Sequence, residues 1–301
     1  MLAISYEAFY ETARLLSFSK AAEVLYMTQP SISKHIRLLE NQFKLSFFER
    51  KGSTIQLTAA GKILFDHVKQ AKELQRNMQF NLSSLSGKQQ AKGSLVVGAS
   101  TTISLYVIPG ILSSFHQQYP HIQLRLLNSN SENILRALLE QEIDLGITES
   151  RNKHTTVQYK FFMKDEVIPV CHHSSPLAKK KRVMVEELRT IPVALRERGS
   201  GTLAAVAEAL APFGISIQDI NNRIILGGTE ALKNFLMSDT CLGFLPQRSV
   251  ERLIQSGELV RIDIPGLKIH RSFFFMQRQG TSDDQINNIF IKLARKQYNP
   301  R

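Results

Sequence analysis

The sequence predicts an N-terminal all-α winged helix-turn-helix, a long linker helix and a C-terminal α/β domain. Three observations lead to this fold class. Residues 1–60 combine helical spacing of apolar side chains, helix caps and a β-hairpin pattern. Residues 58–87 carry one apolar stripe and no proline. From residue 93 onward, short apolar runs typical of strands alternate with helical stretches, a pattern that indicates mostly parallel sheets.

Length, charge and cysteine content narrow the class of protein. The 301 residues suit two or three domains, and the formal net charge is +12. Residues 1–92 hold 13 Lys/Arg and 7 Asp/Glu, so half of the excess (13 − 7 = +6) lies in less than a third of the chain and favours a polyanionic partner. The only cysteines, Cys171 and Cys241, are expected to be buried, inert thiols in a reducing compartment. No transmembrane-length run or signal peptide is visible, so a cytoplasmic location is expected.

Three helices are predicted before residue 44. The first, over residues 5–16, has the apolar side chains Phe9, Ala13 and Leu16. The second, capped by Ser17 or Ser19, carries Ala21, Ala22 and Leu25. The third follows the good N-cap Thr28 and has Pro30 in its first turn, where a missing N–H costs nothing. Its apolar stripe is Ile32, Ile36, Leu39 and Phe43.

The outer face of the third helix and the hairpin behind it are suited to DNA. Such a helix can enter the major groove with small polar and cationic side chains toward bases and phosphates. Two short β-like runs around Gly52 and Ser53 predict a wing whose tip can grip phosphate or the minor groove. The predicted DNA-binding residues are Thr28, Gln29, Pro30, Ser31, Ser33, Lys34, Arg37, Arg50 and Lys51. The alternative is a three-helix packing unit whose charges merely face water.

Residues 9–57 closely resemble the DNA-binding domain of LysR-type transcriptional regulators. The matching stretches are 17–22 (SFSKAA), 28–40 (TQPSISKHIRLLE), 45–50 (LSFFER) and, at the helix start after the wing, 57–61 (LTAAG). Lys44 departs from the family, which usually has Gly at this position. Glycine would suit a left-handed helix end, where Lys would cost about 1 kcal/mol. Either the third helix ends differently here or that strain is tolerated.

The linker helix over residues 58–87 is expected to need a partner. Its stripe is Leu64, Val68, Ala71, Leu74, Met78, Leu82 and Leu85. A small domain alone cannot bury so long a stripe, so it packs either on the C-terminal domain or, as we favour, on a second subunit. The family resemblance implies the same, because these regulators dimerise through this helix. Residues 88–92 are the predicted hinge.

Residues 93–301 are predicted to form the sensor domain. Strands are predicted at 95–98, 123–126, 144–147, 167–170, 192–195, 224–226, 241–245 and 272–276. Helices are predicted at 104–119, 131–141, 202–213, 229–237, 246–256 and 283–296. The resemblance implies two α/β lobes like those of periplasmic binding proteins. Lobe one would comprise about 93–165 and 269–301, and lobe two about 166–268.

Three strand-to-helix junctions favour an anion. The stretches 100–102 (STT), 199–202 (GSGT) and 227–230 (GGTE) each place hydroxyls beside free backbone N–H groups at a helix start. A helix N-terminus carries about half a positive charge, although ordinary capping is the alternative at each junction. Two junctions facing each other across a cleft would favour a small anionic effector. The predicted effector-binding residues are Ser100, Thr101, Thr102, Arg198, Ser200, Gly201, Thr202 and Thr229.

A finer resemblance concerns the effector. The stretches 98–103 (GASTTI) and 196–202 (RERGSGT) resemble LysR-type regulators of sulfur assimilation and carbon fixation. In that subgroup this cluster binds oxyanions or small phosphorylated or carboxylated metabolites. Leu203 stands where an Arg often closes the second motif, which favours a small oxyanion or carboxylate over a large, multiply charged phosphate.

Three other features are expected to carry no chemistry. His172 and His173 lack a third metal ligand. The basic run 179–182 (KKKR) is expected to be a solvated loop. Ser200 lacks the spacing of a hydrolase nucleophile elbow. We therefore predict no catalytic residue, metal or cofactor.

Together these features predict a dimeric or tetrameric DNA-binding transcriptional regulator. Effector binding would close the lobes and change the spacing of the paired DNA-binding heads. The expected partners are an inverted-repeat double-stranded DNA operator, a small anionic effector, further copies of the chain and RNA polymerase. An enzyme built on the α/β half would need a convergent nucleophile, base or metal cluster, and none is visible. A solute-binding protein is disfavoured by the fused helix-turn-helix.

Overall fold

The computed structural model describes residues 2–52, 54–149, 154–280 and 285–298. The chain divides into two compact units, Met1–Leu85 and Ser86–Arg301, each of which is described by itself. Within the described ranges, no helix is long and apolar enough to cross a membrane.

The N-terminal unit contains the short helices, the hairpin and the long helix that the sequence predicts. Its elements are α1 (Ile4–Leu15), α2 (Phe18–Val24), α3 (Gln29–Phe43), β1 (Phe48–Lys51), β2 (Thr54–Leu57) and α4 (Ala59–Ser84). Hydroxyl groups cap three of these helices by accepting a backbone N–H in the first turn, and the capping residues are Ser17, Thr28 and Thr58. The cap of α2 is therefore Ser17, and Ser19 lies inside the helix.

Helix α3 holds the N-terminal unit together through its apolar stripe. Ile32 and Ile36 are buried among alanines of α1 and α2. Leu39 is buried in a second cluster with Phe9, Ala13, Phe47 and Val68. Two of the predicted stripe positions were wrong, because Leu16 is 49% exposed and Phe43 is 44% exposed. Leu16 is the left-handed residue that ends α1, and the ring of Phe43 makes an edge contact with the ring of Phe47.

Lys44 adopts the conformation in which a glycine would be expected. Its φ of 53° and ψ of 36° are left-handed, and its backbone N–H donates to the Glu40 carbonyl. The Leu45 N–H donates to the same carbonyl at 3.2 Å, and the Phe47 N–H donates to Glu40 Oε1 at 2.8 Å. The helix therefore ends in the geometry of a glycine cap, and hydrogen bonds to Glu40 offset the strain on the lysine.

Helix α4 is shorter than predicted and keeps part of its stripe exposed. It ends at Ser84, and a 3-10 turn over Lys88–Gln90 takes up most of the predicted hinge. Val68 is buried in the N-terminal core, whereas Leu74 and Leu82 are 72% and 61% exposed in the single chain.

The C-terminal unit is an α/β structure. Its strands are β3 (Gly93–Ser100), β4 (Ile122–Ser129), β5 (Leu145–Thr148), β6 (Val157–His172), β7 (Val193–Arg196), β8 (Asn222–Leu226), β9 (Leu242–Pro246), β10 (Leu259–Arg261) and β11 (Ile269–Arg278). Its α-helices are α5 (Thr101–Tyr106), α6 (Ile108–Gln118), α7 (Ser131–Leu139), α8 (Pro176–Lys180), α9 (Gly201–Leu210), α10 (Thr229–Leu236), α11 (Gln247–Gln255) and α12 (Gln285–Tyr298). Single 3-10 turns lie at Val185–Arg189, Ala211–Phe213 and Ile217–Asp219.

Two groups of parallel strands flank a central antiparallel pair. Strand β3 pairs in parallel with β4 and β5, and β7 pairs in parallel with β8 and β9. Between these groups, β6 and β11 pair antiparallel, which gives the order β4-β3-β5-β11-β6-β9-β7-β8 with β10 also on β6. Each parallel group has its own buried apolar clusters. The unit thus has two α/β lobes joined by β6 and β11, as the resemblance implied.

Several C-terminal elements differ from the sequence prediction. The helix predicted over 104–119 is broken at Val107 into α5 and α6, with Pro109 in the first turn of α6. The strand predicted at 167–170 is the end of the 16-residue β6. Strand β10 and helix α8 were not predicted. Residues 283 and 284, the predicted start of the last helix, lie outside the described residues.

The strained cap at Lys44 leads to a stability prediction. Lys44→Gly should stabilise the N-terminal unit by about 1 kcal/mol, because glycine has no Cβ to clash in the left-handed region. Hydrogen exchange of the α1 and α3 amides in the full chain measures this. Lys44→Ala is the matched control, since it removes the same charge but keeps a Cβ. An equal gain in both variants, or none in Lys44→Gly, would contradict the assignment of strain.

Candidate functional site

In the N-terminal unit, five of the six predicted DNA-binding side chains of α3 line one solvent-facing concavity, and Ser31 does not. Thr28, Gln29, Pro30, Lys34 and Arg37 are exposed, and Ser31 and Ser33 are half-buried. The concavity is lined by Gln29, Pro30, Ser33, Lys34, Arg37, Leu38 and Asn41. Gln29 Nε2 donates to Ser33 Oγ at 3.0 Å, which orders two of the groups that could contact base edges.

The hairpin extends this surface. Arg50 and Lys51 are exposed on β1, and Lys51 pairs with Thr54 across the turn. Arg50 and Arg37 line a second depression between α3 and the hairpin, together with Gln29 and Ser33. Ser53 lies outside the described residues. One face therefore presents amide, hydroxyl and guanidinium groups side by side, which are the groups that contact base edges and phosphates in DNA complexes.

In the C-terminal unit, the three predicted junctions meet between the lobes. Thr102 Oγ1 lies 3.4 Å from Thr229 Oγ1, and Thr101 Oγ1 lies 3.4 Å from the same atom. Ser200 caps α9 by accepting the N–H of Thr202 at 3.2 Å. Each of these hydroxyl residues except Thr101 is buried.

Arg271 of β11 links two of these junctions by hydrogen bonds, and it was not predicted from the sequence. Its guanidinium donates to Thr102 Oγ1 at 3.1 Å and to Thr202 Oγ1 at 2.9 Å. It also donates to Glu149 Oε1 at 3.1 Å and makes two bonds to Asp165 Oδ2, at 2.9 and 2.7 Å. These are five hydrogen bonds, and a guanidinium has five N–H donors, so every donor of Arg271 has an acceptor. Arg271 exposes only 3% of its side chain.

A second arginine, Arg196 at the end of β7, occupies the other side of the hydroxyl cluster. It donates to Thr229 Oγ1 at 2.9 Å and to Thr101 Oγ1 at 3.2 Å. Glu197 accepts from it at 2.7 and 2.9 Å. Burial opposes ionisation of Glu197, but the hydrogen bonds and charge of Arg196 outweigh burial and lower the pKa of its carboxyl. Arg198, which we predicted for the site, is exposed in the turn, and the arginine of this stretch that joins the cluster is Arg196.

Two further residues define the cleft. Glu149 follows β5 and accepts from Ser131 Oγ at 2.6 Å as well as from Arg271. The Ser100 hydroxyl at the end of β3 is buried, and among the described residues it has no hydrogen-bond partner. A buried hydroxyl without a partner is costly, so Ser100 Oγ is available to a bound molecule. Strand β5 is buried at every position, so no alternation along it marks Glu149 in the sequence.

The features from which no chemistry was expected have ordinary surroundings. His172 bonds Ser174 Oγ at 2.7 Å, and within the described ranges no three His, Cys, Asp or Glu are grouped as metal ligands. Lys180 pairs with Glu187, so the basic run is partly neutralised. Both thiols are buried. Burial, with Asp239 beside it, raises the pKa of Cys241 to about 12, and burial raises the pKa of Cys171.

The buried Arg271 leads to a stability prediction. Arg271→Met should lower the free energy of unfolding of the C-terminal unit by about 3–5 kcal/mol, because it leaves the Glu149 carboxylate buried without its cation. Calorimetric unfolding of the full chain measures this. Arg261→Met is the control, since it removes a half-exposed ion pair with Glu166 and should cost at most about 1 kcal/mol. Similar losses in both variants would contradict a dominant role for Arg271.

Comparison with known proteins places both units in one family. The model of the bacterial regulatory helix-turn-helix protein, lysR family, matches residues 5–62, and the model of the LysR substrate binding domain matches residues 88–299. The chain is 29% identical over 272 residues to the RuBisCO operon transcriptional regulator of Allochromatium vinosum, covering 90% of this chain and 88% of that one.

Solved structures share the fold. A full-length OxyR variant from Pseudomonas aeruginosa matches with a TM-score of 0.72 at 19% identity, over 98% of this chain and 95% of that one. The regulatory domain of Synechocystis PCC6803 CcmR, solved in complex with 2-PG, matches with a TM-score of 0.62 at 25% identity, over 69% of this chain and 99% of that one. Since the two family models together span most of the chain, it belongs to the LysR family of DNA-binding transcriptional regulators.

Proposed function

We propose that this regulator reads an operator through the outer face of α3 and the hairpin, and that a small anion bound between its C-terminal lobes controls promoter activity. The observation that carries the DNA half is the continuous solvent-facing surface that joins Gln29, Ser33 and Arg37 of α3 to Arg50 of the hairpin. Thr28, Pro30, Ser31, Lys34 and Lys51 belong to the same proposed interface.

The exposed stripe of α4 supports a paired arrangement of the heads. Leu74, Met78 and Leu82 are exposed by 72%, 48% and 61% in the single chain, and a second copy of α4 would bury them. Two copies would present two α3 helices to successive major grooves of an inverted repeat. The proposed regulator is a dimer or tetramer. It acts in the cytoplasm, and RNA polymerase is a further proposed partner.

The inter-lobe cluster supports an anionic effector. Thr101, Thr102, Thr202 and Thr229 bring hydroxyls to one place, with Arg196 and Arg271 among them. Ser100, whose buried hydroxyl has no described partner, directly precedes Thr101 at the end of β3. Ser200 and Gly201 form the start of α9 at this point. Arg198 is proposed only as a rim residue, because it is exposed. The CcmR regulatory domain, which was solved with 2-PG, is a relative whose ligand class is consistent with this proposal.

The DNA interface can be tested with Arg37→Ala. On a duplex selected from random sequence by the wild-type protein, this variant should bind at least tenfold more weakly and with a salt slope lower by about 1, because one phosphate or guanine contact is lost. Fluorescence anisotropy at several salt concentrations measures both. Arg14→Ala is the control, since that exposed arginine of α1 pairs with Glu11. Unchanged affinity in Arg37→Ala would contradict the interface.

The effector cleft can be tested with Ser100→Ala. Thermal shift of the full chain with sulfate, inorganic phosphate, succinate and 2-PG identifies the anions that stabilise the wild-type protein. Ser100→Ala should then weaken binding of the effective anion about tenfold, since it removes one hydrogen bond to a charged group without breaking any in the folded protein. Ser104→Ala is the matched control, because that buried hydroxyl bonds Thr101 O within α5. Equal affinities in the two variants would place the effector elsewhere.

A further inference from the structure

We propose that Glu149 is an internal competitor of the effector. Its carboxylate occupies the anion-binding position at the start of α9, beside Gly201 and Thr202 (the anion seat), and must be displaced when an external anion binds. This inference rests on the proposed function, in which the inter-lobe cleft takes a small anion. It assigns to one acidic residue the control of how tightly that anion binds.

The first argument is the position of the carboxylate. A Cβ built on Gly201 would lie 2.7 Å from Glu149 Oε2, so the carboxylate lies against the first residue of α9. Helix α9 runs for ten residues, and its N-terminus favours a negative charge. Only a residue without a side chain allows this approach, so Gly201 and Glu149 fit each other. The seat that the sequence predicts for an external anion already holds an internal one.

The second argument is the set of donors around the carboxylate. Glu149 accepts from Ser131 Oγ at 2.6 Å and from Arg271 Nη1 at 3.1 Å, and 4% of its side chain is exposed. Arg271 Nη1 also bonds Thr202 Oγ1, so the same nitrogen joins Glu149 to a residue of the proposed effector site. An incoming anion that takes this nitrogen therefore competes with Glu149.

The third argument is the unused hydroxyl of Ser100. Strand β3, which ends at Ser100, pairs in parallel with β5, and Glu149 directly follows β5. Ser100 is 2% exposed, and no described group accepts from or donates to its hydroxyl. Glu149 thus satisfies part of the anion seat and leaves one donor unused. A tetrahedral oxyanion has more acceptor oxygens than a carboxylate and can engage this donor in addition.

The fourth argument is the balance of charge. Asp165 pairs with both Arg271 and Arg248, and Glu149 pairs with Arg271. Two cations and two carboxylates cancel, so an incoming anion enters a neutral cluster. When Glu149 is displaced or replaced by glutamine, the remaining groups have a net charge of +1, which strongly favours an anion in a site shielded from water.

The test compares Glu149→Gln with wild type by isothermal titration of the full chain with sulfate and with inorganic phosphate at constant ionic strength. Glutamine can keep one oxygen as an acceptor for Arg271 and donate its amide N–H to the Ser131 hydroxyl, which can also accept, while the competing charge is removed. We expect Glu149→Gln to bind the anion at least tenfold more tightly than wild type. Glu132→Gln is the matched control, because Glu132 is an exposed carboxylate near Gly199 at the rim, and it should change affinity less than threefold.

A second variant covers the case in which Glu149→Gln does not fold. Ser131→Ala removes the 2.6 Å hydrogen bond that holds Glu149 in the seat and leaves all charges in place, so it should tighten anion binding two- to fivefold. If the wild-type protein binds the anion and Glu149→Gln binds it no more tightly, the inference is overturned and the proposed function still stands. Where only Ser131→Ala folds, the same outcome in that variant has the same meaning. Binding of neither anion by wild type or by either variant contradicts both.

Discussion

A buried guanidinium has to be paired on every side, and this requirement at Arg271 fixes the geometry of the C-terminal unit. Its five donors reach Glu149 after β5, Asp165 on β6, Thr102 on α5 and Thr202 on α9. These groups come from both lobes, so a change in the angle between the lobes must break bonds to a charge that has no access to water. The cost of such a break is several kcal/mol, which limits the lobes to arrangements that re-pair Arg271.

This constraint changes the chemical character of the cleft. Hydroxyls at helix starts and a basic motif predict a positive site, yet Glu149, Asp165 and Glu197 neutralise the arginines that occupy it. Two threonine hydroxyls already serve Arg271 as acceptors. A ligand that binds here as proposed would gain affinity only by exchanging existing hydrogen bonds for new ones, and its selectivity would depend on the difference between the two sets.

How far the sequence predicts the structure depends on whether the interactions are local. The hydroxyls of Thr28 and Thr58 accept backbone N–H groups only three residues along the chain, so capping and periodicity predict where the N-terminal helices lie. The left-handed Lys44 was foreseen as one of two outcomes, and its hydrogen bonds to Glu40 explain why it is tolerated. Arg271 was missed because its partners lie 69 to 169 residues away. The charged residues around Asp165 likewise hid the first part of β6 (157–166), since the buried carboxylate there is acceptable because of Arg271 on the paired strand and Arg248.

The two units use polar side chains in opposite ways, and this difference bears on control. On α3 the amide, hydroxyl and guanidinium groups face solvent, where water can be exchanged for DNA at little cost. Between the lobes, hydroxyl and guanidinium groups are buried and hydrogen-bonded to one another. The hydrogen bonds that a ligand forms there must therefore be more favourable than the ones it breaks. A ligand shifts a conformational equilibrium only by the difference in its affinity for the two states. If the effector binds here as proposed, a cleft whose charges are already paired without ligand would give the regulator a defined unliganded state, and the strength of that pairing would set the ligand concentration needed to leave it.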